Sequence, residues 1–143
     1  MAHAETQITV PRPGPAVYAF LADVDNMPTW IPAIRHLDLV HGAAGTVGAE
    51  YDATVAVGGA TRSGRLEIVR LDPPTGMHAR IAASPLHIDA TVAVKDLGDT
   101  AEVRVVLDAP TTGLLRLMDG TIAQALRETL DQLPHIAEAI PAS

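Results

Sequence analysis

The chain has 143 residues and no cysteine, enough for one domain with a single core, and it excludes disulfides, a thiolate nucleophile and a zinc-finger framework. Ten Lys and Arg against 17 Asp and Glu leave a net charge of −7, which argues against a phosphate-tracking nucleic-acid binder and against a polybasic membrane surface. Hydrophobic residues make up 48% of the chain but aromatics only 3%, so its apolar mass is Ala, Val, Leu and Ile, and many inward side chains will be small.

Thr6 to Val10 reads as a short strand, broken by Pro11, Pro13, Gly14 and Pro15. Pro15 suits the first helical position, and Val17, Phe20, Leu21 and Val24 follow at helical spacing. Asp25 or Asn26 is placed to cap a second, very short helix that carries Trp30 and stops near Pro32. From Ile34 to Asp108 the period becomes two. Leu37 and Leu39 alternate with His36, Asp38 and Val40, and Tyr51, Ala53, Val55 and Val57 with Asp52, Thr54 and Ala56, before a Gly58-Gly59 hairpin turn. In the strand from about Ala60 to Leu71, Leu66 and Ile68 lie on one parity and Val69 and Leu71 on the other, which predicts a bulge. Pro73-Pro74-Thr75-Gly76 turns the chain into Met77, Ala79 and Ile81. Leu86, Ile88, Ala90, Val92 and Val94 then alternate with His87, Asp89, Thr91 and Lys95, and Gly98-Asp99 leads to Val103, Val105 and Leu107. After Pro110 the period returns to 3.6. Leu115, Met118, Ile122, Leu126, Leu130 and Leu133 form one stripe about 18 residues long, with Pro134 ending or kinking the helix before a short continuation over Ile136 to Ile140.

The expected order is β-α-α-β6-α, an α+β chain in which a curved antiparallel sheet packs its concave face on one long amphipathic helix. The longest apolar run, Ala16 to Ala22, is far short of the ~20 residues that cross a bilayer. Met1 to Gln7 lacks the basic and apolar regions of a signal peptide. One cytoplasmic domain over residues 1–143 is therefore expected, without a membrane span. Nine arginines stand against the single lysine Lys95, a bias typical of GC-rich bacterial genomes.

The segment Ile8 to Pro32, ITVPRPGPAVYAFLADVDNMPTWIP, resembles the opening of the START/Bet v 1-like (SRPBCC) superfamily, and in particular its bacterial polyketide cyclase/dehydrase branch. Gly48 to Tyr51, the Gly-Gly hairpin and the C-terminal helix stand in the matching order, so the resemblance spans nearly the whole chain. It implies a helix-grip fold with an apolar cavity between sheet and helix. The small inward residues Ala53, Ala79, Ala83, Ala90 and Ala101 are compatible with such a cavity, the alternative being that they permit close helix–sheet packing.

On that fold the ligand-facing candidates are Phe20 and Trp30 from the first helices and Tyr51, Ala53 and Val55 from the strand before the Gly-Gly turn. The next strands contribute Arg62, Leu66 and Ile68, then Met77, Ala79 and Ile81, then Ile88, Ala90 and Val92, with Val103 from the last strand. Leu115, Met118, Ile122 and Leu126 come from the long helix. Tyr51 offers a phenol, Arg62 a guanidinium for a carbonyl or enolate oxygen near the mouth, and Trp30 and Tyr18 aromatic faces with polar tips. The competing reading of Arg62 is an ordinary exposed strand cation, and that of Trp30 a core anchor for the two short helices.

Other chemistries fit poorly. Gly42, Gly45 and Gly48 are spaced G-x-x-G-x-x-G before a strand, not a helix N-terminus, so the loop is a strand connection at the cavity lip rather than a phosphate cradle. Asp23, Asp25 and Asn26 open like a calcium loop that fails at Met27, Pro28 and Ile34. His36 and His41 have opposite strand parity, and the pair His87 and Asp89 supplies only two ligands on a solvent face, so no metal site is expected. The serines, Ser63, Ser84 and Ser143, lie in no G-x-S-x-G turn. The inward strand positions carry no Asp, Glu or His, so a binder of a hydrophobic, polyketide-like or polycyclic metabolite is the first expectation. A polyketide cyclase/dehydrase with Arg62 and Tyr51 as catalytic candidates is the alternative. Neither needs a cofactor, and a monomer or weak homodimer is expected.

Overall fold

The computed structural model describes residues 2–31, 34–57, 60–83, 86–110, 117, 119–131 and 140. Its sheet has seven antiparallel strands: β1 (Ala2–Val10), β2 (Ile34–His41), β3 (Glu50–Val57), β4 (Ala60–Asp72), β5 (Gly76–Ala83), β6 (Leu86–Asp96) and β7 (Ala101–Ala109). They lie in the order β1-β7-β6-β5-β4-β3-β2, so β2 to β7 form a meander and β1 closes beside β7. The sheet is curved, as expected of the α+β helix-grip arrangement.

The period-two segments fold as strands because alternation lets each bury one face, and β7 alternates buried and more open residues along its whole length. β1 is longer than Thr6 to Val10. The small, polar stretch before Thr6 has little strand preference of its own, but β7 pairs with all of it, from Ala2 opposite Ala109 to Val10 opposite Ala101. The predicted bulge in β4 lies between Ile68 and Arg70, after which half-buried Leu71 comes opposite Met77. β2 departs from the expected alternation. As an edge strand with two irregular steps it leaves Leu37 half-buried and Leu39 exposed. The Gly58-Gly59 turn and the Leu86 side chain lie outside the described residues.

Helix α1 (Gly14–Ala22) starts after Pro13, whose ring has no acceptor with which to cap the first turn. The Gly14 N–H donates instead to Asp96 Oδ1 at 3.0 Å, and Asp96 also accepts from the Gly98 N–H at 3.1 Å. Only glycine fits at position 14, since a Cβ there would sit 2.5 Å from that of Asp96. Val24, expected on this helix, belongs to a separate 3-10 turn, Val24–Asn26, that leads into α2 (Met27–Trp30). Asp23 caps that turn, its carboxylate accepting the Asp25 N–H at 3.1 Å, whereas α2 starts after Asn26, one of the two expected caps, whose side chain makes no capping hydrogen bond. The Asn26 amide holds the Phe20 carbonyl at 3.2 Å instead.

Helix α3 (Asp119–Leu130) buries Ile122, Leu126 and Leu130, one stripe at four-residue spacing, and lies chiefly along β1 with further contact to β7. Leu115, Met118, Leu133 and Pro134 of the expected long helix lie outside the described residues. Beyond it Ile140 is buried and its carbonyl accepts from Arg12 Nε at 3.1 Å. Among the described residues no helix is long and apolar enough to cross a membrane.

Candidate functional site

Cross-strand pairing gathers the inward residues into rows that run across the sheet. One row is Tyr51, Leu66, Ile81 and Ile88, each opposite the next, with exposed Leu39 at its β2 end. The next is Ile68, Ala79, Ala90, Leu107 and Ala4. A third runs Leu71, Met77, Val92 and Val105. The middle row is the shallowest, because three of its five side chains are single methyl groups. Ala53, a small residue on β3, faces Gly64, where a Cβ would stand 2.6 Å from the Ala82 carbonyl oxygen. Ala83 and Ala101 are also buried.

Of the residues expected at the site, Tyr51, Ala53, Val55, Leu66, Ile68, Met77, Ala79, Ile81, Ala90 and Val92 are all buried on this one face, and Ile88 is half-buried there. Ile122 and Leu126 join the same apolar cluster from α3, and half-buried Phe20 packs against it. Val103 pairs with Val94 and Ile8, toward the part of the sheet that α1 covers. Arg62 lies opposite Val55, which faces Ile34, so it shares their row, but it is exposed at the rim. Leu115 and Met118 are outside the described residues. Leu107 and Ala4 complete the middle row without having been among the candidates. Alternation already pointed Leu107 inward, whereas Ala4 lay in a segment with no strand signal of its own.

The polar groups on the apolar face are few. Tyr51 is buried and its phenol oxygen accepts the Gly45 N–H at 3.4 Å, tying β3 to the 42–49 loop. That loop is itself stitched to β4, the Gly48 N–H donating to the Ile68 carbonyl at 2.8 Å and the Ile68 N–H to the Ala49 carbonyl at 3.0 Å. Gly42, Gly45 and Gly48 all take positive φ, which explains glycine at these positions without a phosphate. Tyr18 does not offer its tip to a ligand: its hydroxyl donates to the Gly76 carbonyl at 2.9 Å and fastens α1 to β5. Burial, helped by the Asp72 charge, pushes that phenol's pKa up. Trp30 is buried, and no acceptor meets its indole nitrogen among the described residues.

The ionisable groups pair on the outer face. His87 is exposed, and Asp89 turns away from it to accept from Arg80 Nε at 3.0 Å and to share a hydrogen bond with His78 Nε2 at 2.9 Å. Desolvation pushes the Asp89 carboxyl up, but these two partners outweigh it and hold it below the usual range. His36 pairs with Asp38 at 2.9 Å. Among the described residues no three His, Asp or Glu side chains converge as a metal site would need. An outer groove of about 220 Å³ is lined by His36, Asp38, Asp52, Ala53, Thr54, Ser63 and Gly64.

Residues 1–138 match the family model described as polyketide cyclase / dehydrase and lipid transport. No curated protein matches the chain. Among solved structures, a START superfamily protein from Mycobacterium smegmatis superposes with a TM-score of 0.77 at 13% identity, over 98% of this chain and 97% of the other. The ginseng major latex-like protein 151 from Panax ginseng gives a TM-score of 0.73 at 18% identity, over 96% and 95%. The Zhui aromatase/cyclase from Streptomyces sp. R1128 gives 0.67 at 17%, over 95% and 93%. At these identities the likeness is one of fold.

Proposed function

The chain belongs to the polyketide cyclase / dehydrase and lipid transport family, and from that premise we propose that it binds a hydrophobic, polyketide-like or polycyclic small molecule between the curved sheet and the C-terminal helix. The observation that carries the reading is the middle row Ile68, Ala79, Ala90, Leu107 and Ala4, a shallow apolar strip flanked by rows of larger side chains. A flat ring system fits such a strip, gaining roughly 25 cal/mol per Å² of apolar surface removed from water. Among the described residues no Asp, Glu or His is buried, so the strip offers shape and apolar surface without a tuned acid or base. Handling or sequestering a metabolite in natural-product biosynthesis or self-resistance fits that chemistry.

A second reading, a cyclase or dehydrase, is favoured by Arg62 and Tyr51. Arg62 stands at the rim of the Ile34–Val55 row with no ion-pair partner among the described residues, free to polarise a carbonyl while the strip orients the chain. Titration with a panel of aromatic polyketides and fatty acids, with each ligand recovered and weighed by mass spectrometry, separates the readings. Saturable binding with the ligand unchanged supports the binder, and Arg62→Ala then changes affinity alone. A cyclised or dehydrated product whose formation slows in Arg62→Ala establishes the enzyme. No binding by any member refutes both.

A further inference from the structure

Trp30 is only 1% exposed, and its Nε1 is buried with no hydrogen-bond partner among the described residues. Folded proteins rarely leave an N–H in that state, because desolvating a donor without replacing its water partners is unfavourable. The contrast with Tyr18 is informative: that polar aromatic, in the same apolar cluster, has its acceptor in the Gly76 carbonyl. The Ile31 N–H donates to the Met27 carbonyl at 2.7 Å and the Ile34 N–H to the Ile31 carbonyl at 2.9 Å, which ties α2 to the start of β2. Trp30 thus belongs to the same buried apolar core as the inward residues of the sheet, and α2 packs on β2 at one edge of that sheet.

We infer that Trp30 is the specificity-determining donor of this site, its indole N–H awaiting a neutral acceptor oxygen on an otherwise apolar polycyclic ligand. The inference rests on the binding reading above and narrows it. An indole N–H donates and cannot accept, so the matching ligand group is a ketone, quinone or ether-type oxygen. A carboxylate is disfavoured there, because among the described residues no Lys or Arg is buried to compensate its charge. A hydrocarbon of the same outline leaves the N–H as unpaired as before and gains only apolar contact.

The probes are 9-fluorenone and fluorene, which share three fused rings and differ by a carbonyl in place of a methylene. Calorimetry on the full chain measures both affinities. Trp30 is the sole tryptophan, so indole-¹⁵N labelling gives one indole N–H signal that reports on this donor directly. The expected result is that both probes bind, fluorenone about tenfold tighter, with the indole proton moving downfield for fluorenone alone. Replacing the indole at position 30 by benzothiophene keeps the shape and deletes only the donor, and it abolishes the tenfold preference. Trp30→Phe does the same where it folds. Equal affinities with an unmoved indole proton, or a preference that survives the benzothiophene replacement, overturn the Trp30 assignment and leave the binding reading standing. If neither probe binds, the assignment falls together with the binding reading for ligands of this shape.

Discussion

Replacing Ala90 by leucine decides whether the alanines across the sheet face space or packed atoms. Ala90 is 2% exposed and sits opposite Ala79 on one side and Leu107 on the other. Leucine adds three carbons. If they enter room kept for a ligand, burial at ~0.8 kcal/mol per carbon adds up to ~2 kcal/mol of stability. If the strip is already filled by the helix side, overpacking costs about 1–3 kcal/mol. The two cases differ in sign, which makes the experiment decisive. In a domain of this size 1 kcal/mol moves Tm by roughly 3–4 °C. Thermal unfolding followed by circular dichroism should therefore show Tm unchanged or raised by up to about 7 °C, while calorimetry shows at least a tenfold loss of affinity for a polycyclic ligand. A Tm lowered by about 4 °C or more with affinity retained would refute the argument that the middle row is a ligand surface.

Gly64→Ala should destabilise the centre of the sheet by about 1–3 kcal/mol, read as a lower urea midpoint, because its Cβ would meet the Ala82 carbonyl oxygen at 2.6 Å and the Ala83 Cβ at 3.0 Å. Tyr18→Phe removes the hydroxyl that holds the Gly76 carbonyl and should cost ~1 kcal/mol. In the parent protein that phenol should ionise above its ordinary value of 10.0, a late phase in an ultraviolet titration that the variant lacks. His3 is exposed on β1, and its hydrogen bond to Asp108 raises its pKa above the ordinary 6.5. The stabilisation it brings is complete below pH 6.5 and is lost as pH climbs through the raised folded value. The urea midpoint should fall across that range in the parent protein and fall less in His3→Asn; parallel curves would show that the pair contributes nothing.

Much of this fold is legible in the residue pattern. A period of two forces one face of each strand inward, so Tyr51, Leu66, Ile68, Ala79 and Ala90 could be assigned to the buried face before any pairing was known. The parity change after Ile68 marked the bulge for the same reason. Where the pattern misled, a partner distant in sequence was responsible. Leu39 alternates correctly yet is exposed, because no strand lies beyond β2. Ala2 and Ala4 carry no strand signal yet are buried, because β7 pairs with them from about a hundred residues away. Asn26 stands at the start of α2 as one of the two expected caps, yet its side chain is spent on the Phe20 carbonyl and makes no capping bond.

The sequence alone determined the element order, the inward faces, and the scarcity of acid–base groups on them, since these depend on side-chain type and local periodicity. Which inward residues stand side by side was decided only by strand register, which sets Ala79, Ala90 and Ala4 in one row and leaves Arg62 at the rim. Tertiary packing likewise decided that Tyr18 spends its hydroxyl on Gly76 while Trp30 keeps a buried donor without a partner among the described residues. Hydrogen-bond satisfaction in a core depends on groups brought together from far along the chain, and no local pattern encodes it.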